Sequence, residues 1–70
     1  MMLERNQEII GTLNKVERDY LKMELYLQTN HVIQIPRDIF TFEEMEEYLD
    51  CTIGILRIDN RYFIRKIGDE

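Results

Sequence analysis

Residue types that enzymes and metal sites depend on are scarce in this chain of 70 residues, which has no serine, one histidine and one cysteine. No motif brings His31 and Cys51 together as base and nucleophile. A zinc site needs about four ligands of these types, and two do not suffice. We therefore expect a non-enzymatic protein with no catalytic residues, no cofactor and no metal site.

The cysteine count and the apolar pattern bear on the compartment. A single cysteine cannot form an internal disulfide, so nothing in the chain requires an oxidising environment. The N-terminus lacks a basic region followed by an apolar run, and no apolar stretch approaches the ~20 residues of a membrane span. We expect a cytoplasmic protein without a membrane contact.

The stretch from Phe40 to Asp50 carries the clearest structural signal, which is that of a short helix. Thr41 is a good N-cap, and Glu44 three residues later completes a capping box. The spacing of one buried helix face is shared by Phe42, Met45 and Leu49. The remaining face has no basic residue and consists of the carboxylates Glu43, Glu44, Glu46, Glu47 and Asp50.

The first 30 residues have apolar side chains at spacings of three and four, which predicts one long helix. From Ile9 onward the steps alternate between four and three, as in the apolar seam of a coiled coil. Gly11 leaves a break in this helix open. The pattern suits either a core-facing helix stripe or a dimer seam, and both stay open. The candidate dimer seam consists of Asn6, Ile9, Leu13, Val16, Tyr20 and Met23.

The rest of the chain predicts three strands. Val32–Ile35 is a β-branched run that Pro36 ends. After Asp50, two β-prone runs flank Asp59-Asn60, a pair suited to a tight hairpin turn. A two-residue loop places Ile58 opposite Arg61, Leu56 opposite Phe63 and Gly54 opposite Arg65, whereas a three-residue loop changes these pairs. In the first register one hairpin face holds Leu56, Ile58, Phe63 and Ile67, and the other holds Ile53, Ile55, Tyr62 and Ile64.

These elements predict a single α+β domain over residues 1–70. A long helix over residues 1–30 is followed by strand, helix, strand and strand over residues 31–70. A strand-helix-strand connection in one sheet is usually parallel, so we expect a three-stranded mixed sheet packed by helices. Because a chain this short buries only roughly 60% of its unfolded surface, we expect it to form a homodimer.

Charge is segregated along the chain, whose net charge is −5. Residues 41–50 carry −5, and residues 51–67 carry +3. The like charges on the helix repel one another, so the hairpin bases or a partner's bases are expected to compensate them, unless the face is simply solvated. The candidate acidic partner surface is Glu43, Glu46, Glu47 and Asp50. The candidate basic hairpin surface is Arg57, Arg61, Arg65 and Lys66.

The acidic helix Thr41–Asp50 followed by the arginine-rich hairpin resembles the first helix and the wing of small winged-helix proteins of the excisionase type. The resemblance implies phosphate contacts by the hairpin bases. It covers about a third of the chain. The recognition helix of that family has no counterpart here, since only Cys51, Thr52 and Ile53 separate the two elements.

The sequence thus favours a non-enzymatic, small acidic protein-binding module. We expect a homodimeric accessory regulator or inhibitor of a bacterium or phage, with itself and another protein as partners. One alternative is a nucleic-acid-binding protein that uses the basic hairpin, which the acidic total charge disfavours. Another alternative is an acidic mimic of nucleic acid that inhibits an enzyme.

Overall fold

The computed structural model describes residues 1–68 as one antiparallel sheet of five strands with a short helix against it. The elements are β1 (Glu8–Arg18), β2 (Lys22–Leu27), β3 (Val32–Pro36), α1 (Phe42–Glu46), β4 (Thr52–Ile58) and β5 (Arg61–Lys66). The strand order is β3-β2-β1-β4-β5, and every neighbouring pair is antiparallel. The edge strands are therefore β3 and β5.

The central strand β1 joins two halves of the sheet. Its first part, Glu8–Thr12, pairs with β4, and its second part, Leu13–Arg18, pairs with β2. A bulge between Leu13 and Lys15 separates the two parts. A bulge bends a strand and increases its twist. The bend lets both halves contribute inward side chains to one core.

The core lies between the inner face of the sheet and α1. Its buried apolar residues are Leu3, Leu13, Val16, Met23, Leu25, Leu27, Ile33, Ile35, Met45, Ile53 and Ile55. Within residues 1–68 no polar or charged side chain is buried. The core is therefore held by apolar packing, with Met45 as the side chain through which α1 enters it.

The predicted capping box at the start of α1 is confirmed. The Glu44 backbone N–H donates to Thr41 Oγ1 at 3.0 Å, and the Thr41 N–H donates to Glu44 Oε1 at 2.8 Å. The continuation of this helix to Asp50 was wrong, because α1 ends at Glu46 with Glu47 as its C-cap. No basic side chain in the last turn offsets the helix dipole, and Asp50 has a positive φ of 66° at the turn into β4.

The predicted hairpin register is confirmed. Ile58 lies opposite Arg61, and Gly54 lies opposite Arg65, so the loop is the pair Asp59-Asn60. Asp59 has a φ of 53°, a conformation that aspartate and asparagine adopt more readily than most residues. The strand predicted before Pro36 is present as β3.

The prediction of a long helix over residues 1–30 was wrong, and that segment forms β1, β2 and the turn between them. In β1 the two-residue alternation of a strand is disguised. Gly11 takes the inward position between Ile9 and Leu13, where a Cβ would lie only 3.3 Å from Cδ1 of Leu27. The bulge then makes Val16 the next buried residue. A strand thereby acquires the spacings of four and three that indicated a helix.

The predicted dimer seam does not exist as a helix face. Three of its residues are buried in the core of the sheet, namely Leu13, Val16 and Met23. Ile9 packs against that core. Tyr20 lies exposed in the turn between β1 and β2, and Asn6 lies in a turn with a φ of 63°.

The three-stranded mixed sheet was also wrong. β3 pairs with β2, and β4 pairs with β1, so β1 and β2 lie between the two strands that flank α1. The segment containing α1 therefore crosses from one half of an antiparallel sheet to the other, and it is not the crossover of a parallel pair. The expectation of a parallel pair failed because the sequence pattern predicts a helix where β1 and β2 lie, and these two strands separate β3 from β4.

Asp19 holds the turn between β1 and β2. Its Oδ2 lies 2.9 Å from Lys22 Nζ, and its Oδ1 accepts hydrogen bonds from the N–H groups of Leu21 at 2.8 Å and Lys22 at 3.0 Å. The Lys22 ammonium, followed by the two backbone donors, lowers the pKa of Asp19 to about 2. The same contact raises the pKa of Lys22.

Truncation separates a helical seam, in which Leu13 and Tyr20 are equivalent, from the strand arrangement, in which only Leu13 is buried. Leu13→Ala should lower the free energy of unfolding by at least about 2 kcal/mol, because Leu13 is fully buried. Tyr20→Ala should change it by less than about 0.5 kcal/mol, because Tyr20 is 90% exposed. Urea denaturation followed by circular dichroism measures both, and equal losses would contradict the strand arrangement.

The contacts of the Asp19 carboxylate should make the free energy of unfolding depend on pH. The folded pKa of Asp19 lies below its usual value of about 3.9, so its contribution is complete above that pH and is lost as the pH falls toward 2. In an NMR titration the Asp19 carboxyl should show a midpoint near 2, and Lys22→Met should move that midpoint upward. A wild-type midpoint at the ordinary value would refute the contact.

Candidate protein interface

The face of the sheet that points away from the core is polar over the second part of β1 and over β2 and β3. Tyr26 donates to Glu17 Oε1 at 3.2 Å and to Glu24 Oε1 at 3.3 Å, and Lys15 Nζ lies 4.5 Å from the centre of its ring. Desolvation and then the Glu17 bond raise the pKa of Tyr26. Gln34 Nε2 donates to Glu24 at 3.3 Å. This half of the outer face is occupied by contacts within the chain.

Over the first part of β1, β4 and β5 the same outer face has exposed apolar side chains among charged ones. Ile10 is 50% exposed, Phe63 is 45% exposed and Ile58 is 42% exposed, and Leu56 is partly exposed. Leu56 lies directly opposite Phe63, and residues two apart on one strand share a face. These four residues, Ile10, Leu56, Ile58 and Phe63, form the outer patch.

An ion pair crosses the outer patch between Ile10 and the other three residues. Arg65 Nε lies 3.4 Å from Glu8 Oε2, so the pair links β5 to β1 across β4. Gly54 on β4 makes room for it, since a Cβ there would lie 2.7 Å from Glu8 Oε2. The outer patch therefore contains one charge of each sign, and the pair separates Ile10 from Leu56 and Phe63.

The candidate basic residues do not form one surface. In the hairpin register Arg61 and Arg65 share the outer face with Phe63, whereas Arg57 and Lys66 belong to the opposite face. The structure thus divides the basic hairpin into two pairs of bases.

Arg57 is committed to contacts within the chain. Its Nη1 donates to the Leu3 carbonyl at 2.8 Å, and its Nε donates to the Asp59 carbonyl at 2.7 Å. Its guanidinium carbon lies 5.8 Å from the centre of the Tyr62 ring. Arg57 therefore fastens the N-terminal segment to the β4–β5 turn.

The acidic surface receives no compensation from the hairpin. In the part of the chain that the structure describes, no ion pair within 4.0 Å involves α1 or the turn after it. The exposed carboxylates concerned are Glu43, Glu46, Glu47 and Asp50. Their charge is left for solvent or a partner.

The histidine and the cysteine lie in different surroundings. His31 is exposed next to the β2–β3 turn, where its Nδ1 lies 2.8 Å from Thr29 Oγ1. Cys51 is a half-buried free thiol before β4. Over residues 1–68 no three His, Cys, Asp or Glu side chains group closely enough to hold a metal ion.

Among the same residues no helix has the length and apolar content that a membrane crossing requires.

Sequence reasoning placed Leu56, Ile58 and Phe63 on one hairpin face but missed Ile10, because its segment was taken for a helix. The β-branched run Ile9-Ile10 followed by Thr12 was the signal of a strand there. No protein-family model, curated protein or solved structure matches the chain.

The two classes of arginine should respond differently to truncation. Arg57→Ala should lower the free energy of unfolding by about 1–2 kcal/mol, because two backbone carbonyls lose a charged donor. Arg61→Ala, the matched control on the same hairpin, should change it by less than about 0.5 kcal/mol. Urea denaturation of both variants tests this, and an unchanged stability of Arg57→Ala would show that its contacts contribute nothing.

Proposed function

We propose that this chain is a non-enzymatic protein-binding module that forms a homodimer through the outer patch. The observation that carries the proposal is the contrast between the two halves of one sheet face. One half is covered by polar contacts within the chain, and the other presents Ile10, Ile58 and Phe63 to solvent. Such a module would act as an accessory regulator or inhibitor.

The outer patch has the properties of a surface that another layer covers. A sheet face that is apolar is normally packed against a second layer of structure. Clustered exposed apolar and aromatic side chains accompanied by arginine are typical of protein contacts. Since α1 packs on the inner face with Met45 buried, it does not cover the outer patch.

A second copy of the chain is a suitable occupant. In a two-fold dimer the same patch faces itself, so the apolar residues of one copy meet those of the other. The patch contains both Glu8 and Arg65, so a two-fold arrangement does not force like charges together. Burial of the patch would also add apolar area to a chain that is short of it.

The two alternatives from the sequence have less support. For nucleic acid, Arg57 is held by Leu3 and Asp59, and the remaining bases are divided between two faces. For an acidic mimic, the unpaired carboxylates lie on and just after a helix of five residues, which offers a short run of charge.

Light scattering tests the dimer. The wild type should show twice the 8.6 kDa mass of the chain, and Phe63→Glu or Ile10→Glu should return it to the monomer, because a charge in a buried apolar contact is strongly unfavourable. Leu21→Glu is the matched control, since Leu21 is 80% exposed in the turn between β1 and β2 and lies outside the patch.

Circular dichroism should show that all three variants keep the fold. A wild type that stays monomeric at every soluble concentration would overturn the homodimer. A dimer that survives both patch variants would place the contact elsewhere.

A further inference from the structure

The outward edge of β5 has unpaired backbone groups. Antiparallel residues alternate between bonding to their neighbour and pointing away from it. Ile67 N–H donates to the Thr52 carbonyl at 2.8 Å, which fixes the alternation and leaves the N–H and C=O groups of Tyr62, Ile64 and Lys66 on the outward edge. Among residues 1–68 no further hydrogen bond reaches these groups.

The other edge of the sheet is closed by the chain itself. The Gln34 N–H on β3 donates to the Met1 carbonyl at 2.8 Å, and the amino group of Met1 donates to the Val32 carbonyl. Met2 forms a parallel bridge with Gln34. The two edges therefore differ, since β3 has a short segment alongside it and β5 has none in the described structure.

A groove runs along the open edge. Tyr62, Phe63 and Ile64 line it on one side, and Glu44, Glu47 and Tyr48 line it on the other, around a volume of about 360 Å³. Successive strand residues point to opposite faces, so a groove that touches three in a row passes along the strand's edge. A second depression of about 290 Å³ continues it past Asn60 and Arg61.

The charges around the groove specify an occupant. The wall formed by α1 and the turn after it supplies Glu44 and Glu47, and neither has an ion-pair partner in the described part of the chain. On the opposite face of β5, Phe63 lies between Arg61 and Arg65. A strand in the groove would meet two carboxylates and Lys66 on one face, and two arginines with an aromatic ring on the other.

We propose that the open edge of β5 binds an extended segment of a partner protein by strand addition. The segment carries lysine or arginine on the side that faces Glu44 and Glu47, and apolar or acidic residues on the side of Phe63. Main-chain hydrogen bonds to β5 hold it, and the alternate side chains give it specificity. This inference rests on the proposed function only in making the chain a binding protein, since the partner differs and the two surfaces share only Phe63.

A second copy of β5 is a poor occupant of this edge. The strand Arg61–Lys66 has three basic residues and no acidic one. Pairing it with itself would place arginines of the two copies opposite each other about Phe63, or on diagonal positions about Ile64, and like charges on neighbouring strands are destabilising. The basic residues thus discourage edge-to-edge assembly of this chain and admit a partner of a different charge pattern.

A synthetic peptide provides the test. The probe is the acetylated and amidated peptide Lys-Glu-Val-Val-Lys-Glu-Val, which as a strand has its lysines on one face and its glutamates on the other. Titrated into the full chain and followed by NMR, it should bind with a Kd below about 1 mM. Binding should slow the hydrogen exchange of the Ile64 and Lys66 amides, because these N–H groups gain acceptors.

N-methylation of the peptide tests the main-chain contact without altering the protein. Methyl groups on one alternate set of amides should abolish binding, and methyl groups on the other set should spare it. This result follows because only one set of a strand's N–H groups points toward its neighbour.

Charge reversal tests the partner's chemistry. Glu47→Lys should weaken peptide binding about two- to fivefold, which corresponds to the loss of an exposed ion pair. Glu46→Lys is the matched control, because it makes the same change at the adjacent residue but does not line the groove. A peptide with glutamate in place of both lysines should recover affinity for Glu47→Lys and lose it for the wild type.

Four outcomes would overturn the inference. They are no binding at millimolar peptide, binding that both methylated peptides retain, equal effects of the two α1 variants, and amide protection of Ile64 in concentrated peptide-free protein, which would make a second copy the occupant. The peptide titration is repeated on Ile10→Glu, which lies outside the groove, so that a failure of the homodimer and a failure of strand addition give separate results.

Discussion

The structure depends on the way that one bent strand, β1, pairs with two different neighbours. At its centre the Leu13 N–H donates to the Cys51 carbonyl at 3.0 Å, and the Leu13 carbonyl accepts from the Asp50 N–H at 2.8 Å. The turn after α1 is thereby bonded to the middle of the sheet, next to the bulge where β1 changes partners. This junction brings the inward side chains of both halves into one core and directs Met45 into it. The position of the acidic carboxylates relative to β5 follows from the same junction.

The bent sheet leaves its two halves and its two edges in different states. The β1–β2–β3 half has polar side chains bonded to one another on its outer face, and its edge is occupied by the N-terminal residues. The β4–β5 side has exposed apolar side chains on its outer face and an unpaired edge. Unsatisfied backbone groups and exposed apolar side chains are the two features that most often lead to association. Both occur on the same strand, β5, so the surface offered to partners is concentrated at one end of the molecule.

Short stretches of the sequence predicted the features that depend only on residues close together in the chain. The Thr41 and Glu44 capping box, the Pro36 strand end and the Asp59-Asn60 loop each depend on neighbours in sequence, and all three are confirmed. The candidate site was predicted only in part, since Leu56, Ile58 and Phe63 were placed on one face of the hairpin but Ile10 was not. The division of the four hairpin bases followed from the same register, whereas the contact of Arg57 with Leu3 joins residues 54 positions apart and has no local signal. The composition of residues 41–50 identified the acidic carboxylates, but it did not predict that Glu44 and Glu47 lie beside β5.

The sequence by itself determined the hairpin register, the start of α1 and the separation of acidic from basic segments, because turn geometry, capping and charge are properties of short stretches. Only the tertiary structure decided that residues 8–27 are strands. An isolated strand gains little from its own residues, and β1 forms because β2 and β4 supply its hydrogen bonds. The glycine at position 11 and the bulge after Leu13 hide the two-residue period of buried side chains in β1. Their effect on the spacing of apolar residues is visible only when Leu27 and Tyr26 of β2 lie beside this part of β1. Tertiary structure likewise decided which strand is left at an open edge, because that depends on the order of all five strands and on the path of the N-terminal residues.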